Sequence, residues 1–81
     1  MATHELKTWP DHYDNIRIGI KTFEYRVNDR DYHSGDTLKL LRFDPETQSY
    51  TGERMEKTVT HILYGGSFGI PASHCIMSLS R

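Results

Sequence analysis

The sequence predicts one small α+β domain, an early helix followed by a strongly curved antiparallel sheet or partly closed barrel. Three observations predict it. The chain has 81 residues, enough for one domain and its single core. One segment near the N-terminus carries helical spacing and helix punctuation. Everything after it reads as β-rich segments separated by polar turns.

Taken in order, Thr3 to Lys7 reads as a short strand suited to a sheet edge. Trp9-Pro10-Asp11 then opens a helix: Thr8 is the expected N-cap, Pro10 suits the first turn, and Asp11 sits where the helix dipole favours negative charge. Tyr13 and Ile16, with Trp9 or Ile20, follow helical spacing and are expected to face the core. Gly19 is the natural stop, because glycine accepts the left-handed conformation that ends many helices.

Lys21 to Asn28 reads as a strand in which Phe23, Tyr25 and Val27 alternate with Thr22, Glu24 and Arg26. One face is therefore apolar and the other carries a carboxylate and a guanidinium. Asn28-Asp29-Arg30-Asp31 and Ser34-Gly35-Asp36 are polar turns. Thr37 to Phe43 is a strand whose apolar residues, Leu38, Leu40, Leu41 and Phe43, do not alternate cleanly, as expected of a central strand buried on both sides. A turn at Asp44-Pro45-Glu46-Thr47 leads to a partner strand over Glu53 to Tyr64, rich in Thr, Val and Ile. Gly65 to Gly69 is a tight turn or flap without the lysine and hydroxyl of a phosphate-binding loop, and Cys75 to Leu79 is the last strand. Closing such a sheet would remove most exposed edges.

Composition narrows function. Hydrophobic residues are 36%, charged residues 26% and aromatics 11%, so the chain can fold yet carries a polar surface. A formal net charge of -1 excludes a binder that works by bulk positive charge, and leaves room for a narrow cleft that concentrates a few cations. The single cysteine, Cys75, permits neither an internal disulfide nor a cysteine zinc site, and reads as a small buried hydrophobe. No apolar run nears the ~20 residues of a membrane span, and the N-terminus does not read as a leader. A reducing, cytoplasmic setting is expected. His4, His12, His33, His61 and His74 lack metal-ligand spacing, so neither metal nor cofactor is expected.

The chemistry concentrates in Gly19 to Arg30. Lys21 stands at a strand start, where its long stem can bend round the edge. Glu24 and Arg26 share a face, and Asn28 and Arg30 follow in the turn. Arg26 can pair bidentately with phosphate or carboxylate, Lys21 adds a point charge, and Glu24 can accept from a base amino group or fix Arg26. The competing interpretation is a solvated face with ordinary surface ion pairs. Trp9 is either a core residue or a stacking platform for a base.

Gly19-x-Lys21-x-x-Glu24-x-Arg26 resembles the G-x-K-x-x-E-x-R signature of ASCH domains in the PUA-like superfamily. His4-Glu5-Leu6-Lys7, Gly35-Asp36, Tyr50-Thr51-Gly52 and Gly65-Gly66-x-Phe68-Gly69 extend the likeness to a small branch of unknown function, common in phages and prophages. The resemblance implies a small PUA-like antiparallel β-barrel with one N-terminal helix and a cleft lined by the signature residues. It implies binding of RNA, single-stranded nucleic acid or a nucleotide-like ligand through Lys21, Glu24 and Arg26, with Asn28 and Arg30 as their neighbours and His4 near the signature. A monomer is expected, and a host protein is a further conceivable partner. Some ASCH proteins are amidohydrolases acting on acetylated cytidine, with a threonine nucleophile three residues after the lysine. Here that position is Glu24, a departure that argues against the activity. An enzyme of this kind would have to use Lys21 and Glu24 as acid and base.

Overall fold

A computed structural model describes residues 1–80. The element order is β1 (Thr3–Thr8), α1 (Pro10–Arg17), β2 (Phe23–Val27), β3 (Thr37–Asp44), β4 (Ser49–Tyr64) and β5 (His74–Leu79). The strands form one five-stranded sheet in the order β1-β3-β4-β5-β2. The sheet is mixed: β1 runs parallel to β3, whereas the β3–β4, β4–β5 and β5–β2 pairs are antiparallel. β4 serves two neighbours, pairing with β3 from Ser49 to Thr58 and with β5 from Val59 to Tyr64.

The two edges, β1 and β2, do not pair, so the sheet is not closed into a barrel. The expectation of a wholly antiparallel barrel is corrected at this point. β2 and β3 follow one another in sequence but lie at separate positions in the sheet. The loop between them carries Tyr32, which is 1% exposed and sits edge-on to His4 at 4.8 Å. The Tyr64 hydroxyl donates to the Tyr32 carbonyl oxygen at 2.8 Å. That anchored aromatic turns what would be a free crossing loop into part of the core.

β3 places Leu38 and Leu40 in the core, while Leu41 is only partly buried. Phe43 is buried outside that core, on the side of Leu41, where the Lys7 ammonium lies 4.2 Å from its ring centre and Tyr50 packs edge-on, and a register shift there sets the β4 stretch Tyr50 to Arg54 against Leu41 to Phe43. The uneven apolar pattern of Leu40, Leu41 and Phe43 therefore records apolar residues on both faces of a central strand, with Leu41 only partly buried. The inner residues of β5, Cys75, Met77 and Leu79, join Leu6, Tyr13, Ile16, Val59 and Ile62 in the core. Burial raises the Cys75 thiol pKa, which keeps it protonated and poor as a nucleophile.

The helix begins one residue later than its expected cap. Trp9 is the N-cap residue and contributes no side-chain cap bond, while the Thr8 hydroxyl is buried and donates to the Leu6 carbonyl at 3.1 Å. Tyr13 and Ile16 face the core as spacing requires, but Trp9 and Ile20 are 57% and 73% exposed. Gly19 ends the helix with φ +88°. The Arg42 guanidinium grips Asp14 through two bonds of 3.1 Å and fixes α1 against β3.

Gly65 is bound to its place by sterics. A Cβ there would overlap the backbone carbonyl of Pro71, in a turn held by Gly65 N–H to His74 O at 2.8 Å and Gly66 N–H to Ile70 O at 2.9 Å. The segment is a packed turn rather than an open flap. Gly65→Ala is expected to lower stability by ~3 kcal/mol, since backbone must shift to admit the methyl group; urea unfolding measures it.

Asp36 ties the N-terminal strand to the loop before β3. Its carboxylate, 2% exposed, accepts from Ala2 N–H at 3.0 Å, from His33 N–H at 2.9 Å and contacts His4 Nε2 at 2.9 Å. Burial would raise the pKa of this carboxyl, but the Ala2 and His33 amides and the His4 ring outweigh it and hold the group at about 2 against its ordinary 3.8. A lowered pKa means stabilisation that is complete above the ordinary value and disappears as pH falls through the folded one. Asp36→Ala is expected to cost ~3 kcal/mol near neutrality by leaving buried donors unmatched. The gap between variant and parent should narrow as pH drops from about 4 towards 2. Denaturant titrations at a series of pH values check both.

Candidate functional site: a cleft at the open seam

Where β1 and β2 fail to pair, side chains span the gap. Arg26 on β2 donates through Nη2 to the Lys7 carbonyl at 2.9 Å, with a longer 3.4 Å approach to Thr8 Oγ1. Arg30, just beyond β2, donates through Nη1 to the Glu5 carbonyl at 2.8 Å. Glu5 and Lys7 are two apart in β1, so their carbonyls point the same way, to the side that β3 leaves free. Two guanidinium groups thus supply donors that a neighbouring strand would otherwise provide.

This requirement sets the orientation of β2. Glu24 pairs across the ladder with Met77 and Arg26 with Cys75, both 0% exposed inner residues of β5. Glu24 and Arg26 therefore lie on the inner face. Phe23, Tyr25 and Val27, partnered with Ser78, Ile76 and His74, point outward and are 46%, 50% and 48% exposed. The apolar face of the strand is thus the outer one. A strand alternates in either case, and a register change of one residue exchanges its faces; here the carbonyls of β1 decide which face is inner.

Glu24 is 3% exposed, a charged group at the bottom of the gap. Its Oε2 accepts from Arg26 Nε at 2.7 Å, and its Oε1 lies 3.7 Å from Lys21 Nζ. Arg26 is held through Nε and Nη2, which leaves Nη1 without a hydrogen-bond partner among the described residues. Lys21 Nζ also contacts His12 Nδ1 at 2.9 Å and stands 5.1 Å from the centre of the Phe23 ring. Two cations and one carboxylate so share a small volume in which water is partly excluded, where each interaction is stronger than on an open surface.

Above them is a concavity of about 800 Å³ lined by Trp9, His12, Lys21, Glu24, Tyr25 and Arg26, among others. α1 supplies one wall. Trp9, His12 and Asn15, spaced by three, occupy one face of the helix, while Tyr13 and Ile16 face the core. β2 supplies the opposite rim with Phe23 and with Tyr25, whose ring stacks on His74 at 5.2 Å and 29°.

The structure brings Lys21, Glu24, Arg26 and Trp9 together. Asn28 and Arg30 do not line this cleft: Asn28 Oδ1 accepts from Tyr32 N–H at 3.2 Å, and Arg30 donates to Glu5 and lines a separate concavity. His4 lies elsewhere, bonded to Asp36 in a separate concavity. Sequence reasoning missed His12, Asn15, Phe23, Tyr25 and His74. The signal for His12 and Asn15 was the spacing from Trp9, which marks one helix face; for the β2 aromatics, alternation marked an apolar face without saying that it borders the cleft. Among the described residues no group of His, Cys, Asp and Glu is placed to hold a metal ion, and no helix is long and apolar enough to cross a membrane.

The family model for a domain of unknown function, DUF3850, matches residues 3–79. An uncharacterized 12.9 kDa protein in the GpA 3' region of Escherichia phage P2 is 34% identical over 59 residues, 73% of this chain and 52% of that protein. The chain spans about half the length of this phage relative.

Removing the carboxylate at the floor tests its structural part. Glu24→Ala leaves Arg26 and Lys21 without their shared counter-charge, and the expected loss is about 2 kcal/mol, below the range for fully buried pairs because both cations retain some solvent. In a double-mutant cycle Glu24 and Arg26 should couple, with the combined variant losing less than the sum of the two single ones.

Proposed function

The chain belongs to the DUF3850 family, and on the geometry of its cleft we propose that it is a binding module for nucleotide-derived ligands, RNA and single-stranded nucleic acid included. The observation that carries this reading is the convergence of Lys21 and Arg26 on a concavity whose walls are exposed aromatic rings. Cations match phosphate, and rings match the faces of bases. Arg26 Nη1 and the Lys21 ammonium are the donors for a phosphate. Glu24 is the fixed anion that keeps both cations in place. In this reading the Gly19-x-Lys21-x-x-Glu24-x-Arg26 strand is that of an ASCH-type, PUA-like domain working in the cytoplasm.

A local cleft also reconciles nucleic-acid chemistry with the formal charge of -1: affinity comes from a few concentrated contacts and not from a basic surface. An amide hydrolysis using Lys21 and Glu24 as acid and base is the weaker reading. The Glu24 carboxylate faces a cation at each oxygen, and no hydroxyl nucleophile is bonded to it among the described residues.

Titration with short RNAs and nucleoside monophosphates, followed by NMR, should shift resonances of Lys21, Arg26, Trp9 and His12. Lys21→Ala is expected to weaken binding by roughly 10-fold or more, the worth of a charge-assisted hydrogen bond. Affinity should fall with salt, with a log–log slope of about -0.7 per phosphate engaged. Absence of any shift near the cleft would refute the module. Turnover of N4-acetylcytidine that disappears in Glu24→Gln would replace it with the hydrolase.

A further inference from the structure

Resting on the nucleotide-binding reading of the cleft, we infer that its ligand is a single strand of at least two nucleotides, with the second base stacked on the outward face of β2. The argument begins with the orientation of that strand. Phe23 and Tyr25 stand on the same outward side, about 46–50% exposed, and both line the cleft together with the charged floor. The hollow therefore does not end at the edge of β2. It continues over the strand onto a face that carries rings.

Ring spacing sets how many bases that face takes. Residues two apart along a strand are separated by roughly 7 Å. That is wide enough for one base on each ring, and short enough for nucleotides adjacent in an extended strand. The two rings are also held differently. Phe23 carries the Lys21 ammonium 5.1 Å from its centre, which puts a phosphate donor beside that base position. Tyr25 is backed by the His74 ring at 5.2 Å and 29°, so it is presented as a rigid platform instead of a mobile side chain. Trp9 supplies a further ring on the helix side of the floor, 57% exposed.

A mononucleotide covers one of these surfaces and leaves the rest in water. A strand whose phosphates follow Lys21 and Arg26 covers the floor and two rings together. Aromatic side chains on a sheet face, beside cations that track a backbone, are a recurrent means of holding unpaired bases. The combination selects a polynucleotide over a purely apolar partner, because the rings are contiguous with the cations and not isolated from them.

The experiment compares adenosine 5'-monophosphate with the tetranucleotides A4 RNA and A4 DNA by titration calorimetry, on the full chain and on Tyr25→Ala. Tyr25 is half exposed, so its truncation leaves the fold in place, which thermal unfolding verifies. The expected result is that at least one tetranucleotide binds about 5-fold or more tighter than the monophosphate, as one further stacked base provides. Tyr25→Ala should remove that gain, weakening the tetranucleotide by more than the monophosphate. RNA over DNA would mean that the 2'-hydroxyl is read; parity would mean that it is not, and both support a strand. Equal affinity for monophosphate and tetranucleotides, or a gain that survives Tyr25→Ala, overturns this inference and leaves the cleft reading standing. Failure of all three probes to bind overturns both.

Discussion

The seam between β1 and β2 governs the rest of this structure. A sheet of five strands has two edges, and here the curvature of the sheet turns them towards each other without letting their backbones pair. The outward carbonyls of Glu5 and Lys7 have no strand to pair with on that side. Arg26 and Arg30 supply donors instead by reaching from β2 and its following loop to Lys7 and Glu5. A guanidinium is longer than a peptide N–H, so the strands stay further apart than a ladder would hold them. The space so created is the cleft. A backbone pair at the same place would have given a more complete barrel and no site.

The two cations at the floor are bound in different ways, which divides their roles. Arg26 is fixed by a carboxylate and a main-chain carbonyl at once, and a planar fork held at several points has little freedom left to lose. Lys21 is shared among His12, Glu24 and the Phe23 ring at 2.9, 3.7 and 5.1 Å. An ammonium with several partial partners exchanges one for another at small cost. Arg26 is thus the rigid reference of the cleft, and Lys21 is the more adaptable of its two cations. Glu24 serves both, and its burial is tolerable only because both are present.

Much of the architecture was legible in the sequence, and the residues that were misread share a physical origin. Gly19 marked the helix end, the Asp44 to Thr47 turn marked the β3–β4 hairpin, and Cys75 to Leu79 marked the last strand, because each depends on local backbone chemistry. Lys21, Glu24 and Arg26 were legible as a charged strand face. Their inward orientation was not, because alternation defines two faces without saying which one meets the core. That choice was made by the carbonyls of Glu5 and Lys7, distant in sequence. The parallel pairing of β1 with β3 is likewise a long-range outcome. Trp9 was read through helical spacing as a core candidate, but it is the cap residue and lies off the face that Tyr13 and Ile16 define. His4 was placed near the charged strand by resemblance, whereas its partner is Asp36.

The orientation of β2 also weighs a functional cleft against an ordinary charged surface. Leaving Phe23, Tyr25 and Val27 about half exposed forgoes roughly 1 kcal/mol of burial for each, and placing Glu24 in the interior adds a desolvation cost. In a domain of 81 residues, whose core is thin, those are large concessions to make on a single five-residue strand. Closing the seam accounts for the arginines, but donors to a carbonyl do not require aromatic residues on the opposite face. Solvent-facing positions of an edge strand are ordinarily polar or charged, which protects against unwanted pairing. Rings at Phe23 and Tyr25, continuous with a cationic floor, run against that tendency in the same strand where a carboxylate is buried. Local choices that oppose stability and coincide in space favour the proposed cleft over an ordinary charged surface.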